Sequence, residues 1–236
     1  MDVLVAPAKL TVSLRMTGVR PDGYHLIDAE MVTLDLHDTL EISEGDGLDI
    51  VGPAGTERIG PDDDNLVRRA LRLVGRTALV RLHKRIPAGA GLGGGSADAA
   101  AVLRWAGYTD VEGAATIGAD VAFCLVGGRA RVRGIGEIVE PLPHEPRTFT
   151  LLTPPFGCPT PTVYAAWDRL GGPTGAHHND LEPAALAVAP ELAAWRDRLA
   201  DATGVRPRLA GSGSPWVVEG AFPGPGRVGA ATVSGD

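Results

Sequence analysis

Residues 84–98 read Lys-Arg-Ile-Pro-Ala-Gly-Ala-Gly-Leu-Gly-Gly-Gly-Ser-Ala-Asp, and five glycines fall within positions 89–95. Glycine has no Cβ, so successive backbone N–H groups can surround an anion and a phosphate can approach the main chain closely. Ser96 is a good N-cap residue, Asp98 falls in the expected first turn, and the intervening alanines favour a helix. The segment therefore predicts a glycine loop that leads into a helix N-terminus, where unpaired N–H groups attract phosphate.

The pattern of this loop separates it from two common phosphate-binding motifs. The chain contains no Gly-Lys dipeptide, which excludes the P-loop with its lysine. Residues 89–94 do satisfy G-x-G-x-x-G, and the alternating segment 79–86 predicts a strand before them. A dinucleotide-binding unit also needs a second apolar strand before an acidic residue about 20 positions further on. Asp110 and Glu112 lie at that distance, but no strand-like run precedes them.

Composition is typical of a globular enzyme and excludes several other classes. The chain has 236 residues and a formal net charge of −7, without a cluster of basic residues, which argues against nucleic acid as a partner. No apolar run approaches the length of a membrane span, and the first residues do not resemble a signal peptide. Cys124 and Cys158 form neither a disulfide framework nor a zinc pattern. We therefore expect a cytoplasmic protein that binds a small molecule, as a monomer or weak homodimer.

Apolar periodicity predicts a mixed α and β chain. The expected strands are residues 10–16, 31–36, 39–43, 79–86, 122–126, 129–132, 137–139, 149–153, 208–209 and 216–219. The expected helices are residues 65–74, a segment that begins at Ser96, and residues 162–170 and 191–202.

The predicted domain boundary lies in a proline-rich segment. Three prolines within residues 141–146 cannot lie inside a regular element, so this segment is the expected hinge. We therefore predict domains at residues 1–144 and 145–236. Residues 220–236 are rich in glycine and alanine and are expected to form a loose tail.

Two charged residues are candidates for chemistry at the phosphate. Lys9 occupies a polar break before an alternating strand, and Asp120 precedes the apolar run 121–125. Phosphoryl transfer needs charge neutralisation and a carboxylate that orients or deprotonates the acceptor hydroxyl, and these two side chains together supply both. From the residues alone, an edge-strand lysine and a strand-capping aspartate remain the alternative interpretation.

Three segments together resemble the GHMP small-molecule kinases, which include galactokinase, homoserine kinase and mevalonate kinase. Residues 87–100 resemble the second motif of that superfamily, residues 6–10 its first motif and residues 209–213 its third. Residues 20–25, 34–40, 118–121 and 179–182 are similar to those members that phosphorylate 4-diphosphocytidyl-2-C-methyl-D-erythritol. The matches follow the family's order from about residue 6 to about residue 219.

The resemblance implies an α+β fold of two domains, the first ribosomal-protein-S5-like and the second a ferredoxin-like α/β sandwich. It implies ATP as phosphoryl donor, Mg²⁺ as cofactor and Lys9 with Asp120 as the catalytic pair. It also implies contacts with the cytidine substrate from Thr11, Tyr24, His25 and Tyr164. The implied ATP-binding residues are Pro87, Ala88, Gly89, Ala90, Gly91, Leu92, Gly93, Gly94, Gly95, Ser96, Ala97, Gly211, Ser212 and Gly213.

The expected reaction is phosphorylation of the substrate's 2-hydroxyl, a step of non-mevalonate isoprenoid precursor synthesis. Ser96 is a candidate for indirect contact with Mg²⁺, although a helix cap explains it equally well. The chain departs from the family pattern at Thr11, where asparagine is usual, at residues 214–216, and by a shortened segment 106–118. A kinase of another small alcohol and a non-catalytic nucleotide-binding relative therefore remain alternatives.

Overall fold

The computed structural model describes residues 1–53, 60–87, 89–175 and 178–235. The strands are β1 (Asp2–Val19), β2 (His25–Ser43), β3 (Gly47–Val51), β4 (Leu79–His83), β5 (Arg129–Gly134), β6 (Ile138–Leu142), β7 (Thr148–Leu152), β8 (Arg208–Leu209), β9 (Trp216–Glu219) and β10 (Arg227–Ala231). The helices are α1 (Leu66–Leu73), α2 (Gly94–Trp105), α3 (Val111–Ala115), α4 (Ala119–Val126), α5 (Thr160–Arg169), α6 (Glu182–Val188) and α7 (Leu192–Thr203).

A long antiparallel pair, β1 with β2, organises the first sheet. The order across the sheet is β3-β4-β2-β5-β6, and β1 runs along the other edge of β2. The register of this pair shifts between Pro7 and Lys9 and again between Thr11 and Ser13. Proline has no N–H for the ladder, so an irregularity beside Pro7 is expected. The polar break predicted before the strand at Lys9 is therefore wrong: the lysine lies inside β1, directly after an irregularity.

The second sheet has the order β10-β7-β9-β8. Its outer strand, β10, corrects the prediction of a loose tail over residues 220–236. Ala230 is buried at 3% exposure, and the Ala231 N–H donates to the Asp35 carboxylate at 2.9 Å. The Val233 N–H then donates to the Thr33 carbonyl of the first sheet at 3.0 Å. The small residues here allow a strand to pack closely. A composition rich in glycine and alanine is equally consistent with a flexible tail, so composition alone does not reveal the strand.

Most of the predicted elements are confirmed within a few residues. Asn65 caps α1, since its side-chain oxygen accepts the Val67 N–H at 2.9 Å. The hairpin of β5 and β6, the strands β7 to β9 and the helices α5 and α7 also lie where the sequence places them. The chain passes from the first sheet to the second between β6 and β7. The boundary at residues 144 and 145 falls in this passage and stays a prediction, but Pro141 lies inside the outer strand β6, where a missing N–H is tolerated, and not outside regular structure as expected.

The apolar run 122–126 was predicted as a strand and is the helix α4. Val121, Ala122, Phe123 and Cys124 are all buried, so the helix has little polar surface to reveal its period. A short apolar run without periodicity does not distinguish a buried strand from a buried helix. The short elements β3 and α6 were not predicted. Within the described ranges, every helix is too short or too polar to cross a membrane.

The burial of β10 can be tested with a charged substitution. Ala230→Asp would place an unpaired carboxylate in the core, at a cost of about 3–5 kcal/mol. The melting temperature is therefore expected to fall by about 6 °C or more. Val228→Asp, at a position in the same strand that is 42% exposed, serves as the control and should have a much smaller effect. Equal melting temperatures for wild type and Ala230→Asp would restore the loose-tail interpretation.

Candidate active site

The glycine loop joins the end of β4 to the start of α2. The helix begins at Gly94, and its N-cap is Gly93 in the left-handed conformation with φ of 68°. Ser96 was predicted as the N-cap and instead lies within the first turn, because glycine adopts the left-handed cap conformation at no steric cost. The N-terminus of α2 therefore has no side-chain cap, and its free N–H groups are available to an anion.

The loop packs against two other segments so closely that side chains are excluded. A Cβ on Gly93 would lie 2.7 Å from Cγ of Lys9, and one on Gly91 would lie 2.7 Å from the Gly213 carbonyl oxygen. The Lys9 N–H also donates to the Leu92 carbonyl at 3.0 Å. The three segments that carry the sequence motifs therefore meet at this loop.

Lys9 and Asp120 form an ion pair, with Nζ 3.1 Å from Oδ2. The lysine side chain is 7% exposed and the aspartate side chain 35% exposed. Asp120 lies in the first turn of α4, where the positive end of the helix dipole stabilises a carboxylate. Lys9 Nζ also donates to the Thr11 hydroxyl at 3.2 Å. The Asp120 side chain thus remains partly open to solvent beside a fixed positive charge.

These residues line a cleft of about 660 Å³. Of the residues predicted from the sequence, the cleft is lined by Lys9, Thr11, Pro87, Gly89, Ala90, Gly91, Leu92, Gly93, Gly94, Gly95, Ser96, Asp120, Tyr164, Gly211 and Ser212. Ala97 is buried in α2, and Ala88 lies outside the described residues. Among the described residues, Gly213, Tyr24 and His25 do not line the cleft.

Two of the aromatic residues predicted to bind substrate, His25 and Tyr164, are clustered with Trp167, which carried no prediction. The His25 ring lies 4.9 Å from the Tyr164 ring and 5.8 Å from the Trp167 ring. His25 Nε2 is 2.8 Å from the Asp168 carboxylate. Burial raises the pKa of Tyr164 to about 12, with a further contribution from Asp120. Tyr24 projects into solvent at 58% exposure.

The bulky Trp216 after the third motif does not obstruct the cleft. It is fully buried at the start of β9, and its indole N–H donates to the Leu192 carbonyl at 3.0 Å. The hydroxyls of Ser212 and Thr160, 2.9 Å apart, link the third motif to α5. In the shortened segment 106–118 the structure places the single short helix α3, capped by Asp110.

A buried cluster that the sequence analysis missed supports the glycine loop. Lys84 Nζ lies 2.5 Å from Asp38 and 2.7 Å from Asp98, and all three residues are at most 6% exposed. Asp38 also accepts the N–H groups of Arg85 and Ile86, directly before the loop. The cluster therefore fixes both ends of the loop. Its members are far apart in sequence, so no local pattern reveals their pairing.

The cluster holds two carboxylates for one ammonium, and this sets its protonation. Burial lowers the pKa of Lys84, but attraction to Asp98 and Asp38 outweighs it and leaves the pKa raised. Burial raises the pKa of Asp98 to about 7, against the attraction of Lys84 and with repulsion from Asp38. Asp98 Oδ1 is buried without a hydrogen-bond partner. We infer that Asp98 keeps its proton in mildly acidic solution while Lys84 stays charged.

The cleft also extends to parts of the chain that carried no functional prediction. Asp62, Asp64 and Asn65 line it at the start of α1, and Ile135 and Gly136 line it from the turn between β5 and β6. Within the described ranges, no group of three His, Cys, Asp or Glu residues has the arrangement of a metal site.

Comparison with known proteins identifies the family. Residues 65–128 match the model of the GHMP kinases N terminal domain. A Paracoccus denitrificans protein named 4-diphosphocytidyl-2-C-methyl-D-erythritol kinase is 41% identical over 229 residues, which cover 89% of this chain and 83% of the relative. A Cereibacter sphaeroides protein of the same name is 39% identical, with 91% and 87% covered. The chain belongs to the 4-diphosphocytidyl-2-C-methyl-D-erythritol kinase family.

Solved structures agree with this membership and with the predicted fold class. A crystal structure of 4-(cytidine 5′-diphospho)-2C-methyl-D-erythritol kinase matches with a TM-score of 0.72 and 34% identity, over 92% of this chain and 89% of that one. Homoserine kinase from Cytophaga hutchinsonii matches with a TM-score of 0.61 and 17% identity, over 100% and 96% of the two chains, which shows the shared fold. The predicted α+β GHMP kinase fold is confirmed. The residue roles stay predictions.

The protonation of Asp98 can be tested through stability. A buried acid with a raised pKa binds more protons in the folded state, so its contribution to stability falls as pH rises from about 4 to about 7. Asp98→Asn removes this dependence. The stability of the variant relative to wild type should rise across that range by at most about 4 kcal/mol and then level off.

Urea unfolding at several pH values measures this difference. Asp201→Asn, at an exposed position of α7, is the matched control and should differ from wild type by a nearly constant amount. A constant difference for Asp98→Asn as well would mean that Asp98 is ionised throughout.

Proposed function

We propose that this protein transfers the γ-phosphoryl group of ATP to the 2-hydroxyl of 4-diphosphocytidyl-2-C-methyl-D-erythritol, in the synthesis of isoprenoid precursors. The observation that carries the proposal is the Lys9–Asp120 ion pair, which lines the same cleft as a glycine loop at a helix N-terminus. The names of the relatives supply the substrate. This proposal includes ATP and the cytidine compound as the two substrates and a role for each residue of the site.

The glycine loop suits the phosphates of ATP. Its backbone cannot carry side chains at Gly91 and Gly93, and the uncapped N-terminus of α2 directs N–H groups at the cleft. Such donors hold negatively charged oxygens without the loss of side-chain entropy. Ser212 and Gly211 line the same cleft and complete the phosphate-binding surface.

Asp120 suits the role of proton acceptor for the attacking hydroxyl. As the substrate oxygen bonds to the γ-phosphorus, its proton passes to the Asp120 carboxylate and the bond to the β-phosphate oxygen breaks, which releases ADP. Lys9, 3.1 Å from Asp120, holds the carboxylate in place and stabilises negative charge on the transferred group. The Thr11 hydroxyl, 3.2 Å from Lys9 Nζ, fixes the ammonium from the other side.

Mg²⁺ fits this site as a companion of the nucleotide. Magnesium keeps several waters and binds mainly to phosphate oxygens, so a dedicated cluster of protein carboxylates is not required. The Ser96 hydroxyl, which lines the cleft in the first turn of α2, would contact its hydration shell. When bound, the ion neutralises charge on the phosphates.

The aromatic cluster beside the cleft suits the cytosine base. Tyr164 lines the cleft and packs on His25, while the Tyr24 ring is exposed and available to cover a planar ligand. Every base has a planar face that can stack on an aromatic ring, so stacking does not distinguish one base from another. Hydrogen bonds to the edge of the base give the specificity. In the proposal, Tyr24 and Tyr164 stack on the base and His25 contacts its edge.

A coupled assay of ADP release tests the proposed reaction directly. Turnover should be observed with 4-diphosphocytidyl-2-C-methyl-D-erythritol and should be far slower with mevalonate or homoserine. Turnover with another alcohol alone would indicate a different GHMP kinase. ADP binding without any turnover would indicate a non-catalytic relative.

Neutralising either member of the ion pair should reduce chemistry more than binding. Lys9→Met keeps the methylene chain that packs on Gly93, and Asp120→Asn keeps the side-chain shape. Each should lower kcat by about 100- to 10,000-fold, the range of acid–base and electrostatic contributions. ADP affinity, measured by calorimetry, should change far less. Near wild-type turnover in either variant would refute its assigned role.

Removing either tyrosine ring should weaken the binding of the cytidine substrate and leave the binding of ATP unchanged. Stacking on a base contributes about 1–3 kcal/mol, so Tyr24→Ala and Tyr164→Ala should each raise KM for that substrate by about 5- to 150-fold. KM for ATP should stay nearly constant. A rise in KM for ATP would place these rings at the other nucleotide, and unchanged kinetics would make them packing residues.

A further inference from the structure

Asn179 is a buried side chain that hydrogen-bonds both to its own segment and to the third glycine motif. It is 2% exposed, and its amide nitrogen donates to the carbonyl oxygens of Leu209 and Gly211, both at 2.8 Å. Its amide oxygen accepts the Leu181 N–H at 3.0 Å. The amide therefore spans the start and the middle of the third glycine motif and fixes the direction of two carbonyl groups.

The orientation of the Gly211 carbonyl determines that of the next N–H. In a trans peptide the C=O and the following N–H point in opposite directions across one plane. The Gly211 carbonyl points at Asn179, which is not among the described residues that line the cleft. The N–H of Ser212, on the opposite side of that peptide, therefore points away from Asn179. Gly211 and Ser212 themselves both line the cleft.

The neighbouring Asp180 attaches this arrangement to β1. Its carboxylate accepts the Met16 N–H at 2.9 Å, the Gly175 N–H at 3.0 Å and the Arg15 guanidinium at 2.6 Å. Its own N–H donates to the Leu14 carbonyl at 3.0 Å. The third motif thus has a fixed position relative to the strand that carries Lys9.

We propose that Asn179 is a positioning residue that turns the Gly211–Ser212 peptide so that the Ser212 N–H donates to a phosphate oxygen of a ligand in the cleft. This inference rests on the proposed function for the presence of a phosphorylated ligand there. Both ATP and the diphosphate of the cytidine substrate carry such an oxygen. The chemistry recognised is the same, and ADP and CDP serve as probes that distinguish the two sources.

The test compares Asn179→Asp with wild type by calorimetric titration of ADP and of CDP. The variant has the same shape but replaces the donating nitrogen with an oxygen that faces two carbonyl oxygens. The peptide should then turn, and the affinity for one of the two probes should fall by about 10- to 100-fold, the range for a hydrogen bond to a charged group. The probe affected identifies whose phosphate the N–H contacts.

Two further variants separate positioning from general stability. Thr150→Val, at a buried position of β7 whose hydroxyl hydrogen-bonds to Gly220 and Phe222, should lower the melting temperature and leave both affinities within about threefold of wild type. Gly211→Ala disturbs the same peptide independently of Asn179, because φ at this residue is 59° and an alanine there is strained. The added Cβ meets no atom closer than 3.6 Å, so the variant should fold and show the same loss of affinity as Asn179→Asp.

The outcomes distinguish this inference from the proposed function. Unchanged ADP and CDP affinities in Gly211→Ala would overturn the inference, as would equal losses in Asn179→Asp and Thr150→Val, because either result leaves Asn179 only a stabilising role. A wild-type protein that binds ADP but does not phosphorylate the cytidine substrate would refute the proposed function and leave the affinity test valid. A wild-type protein that binds neither probe would refute both.

Discussion

The outer edge of β1 is the constraint on which the site depends. Its inner edge pairs with β2 along its length, apart from three register shifts, and its outer edge receives the glycine loop at Lys9 and residues 179–180 at Leu14. Main-chain hydrogen bonds to this strand thus position the glycine loop directly. They position the third motif through residues 179–180, and the Lys9 side chain projects from the same strand. Because a strand is stiff, it holds the two motifs at a constant separation. The relative positions of the glycine loop, the third motif and Lys9 in the cleft are therefore set by one strand, β1.

The buried Asp38–Lys84–Asp98 cluster supports the same loop at an energetic cost. Removing charges from water is expensive, and a buried ion pair recovers this only where its hydrogen bonds are nearly complete. Asp38 is well satisfied, whereas one oxygen of Asp98 has no partner. Apolar side chains of similar size would pack there with less penalty, but they would not fix the main chain on both sides of a glycine-rich segment that has little rigidity of its own.

The glycine loop, the proximity of Lys9 and Asp120 and most elements were predictable because each depends on local chemistry or on a long motif. The helix α4 was mistaken for a strand because Val121, Ala122, Phe123 and Cys124 are buried together, which removes the periodicity that distinguishes the two. The strand β10 was missed because glycine and alanine carry no strand signal. The Asp38–Lys84–Asp98 cluster was missed because its partners meet only through the tertiary fold.

The position of β10 has a consequence for the order in which the protein is made. Its partner β7 comes much earlier in the sequence, and α5, α6, α7, β8 and β9 lie between the two strands. The residues after β10 return to the first sheet at Thr33. During synthesis, β7 therefore leaves the ribosome before both of its partners, β9 and β10, and the edge that pairs with β10 is completed last. Such non-local pairing slows folding and exposes a strand edge to other chains. A nascent chain interrupted before Arg227 would present that edge to chaperones or to its neighbours on a polysome.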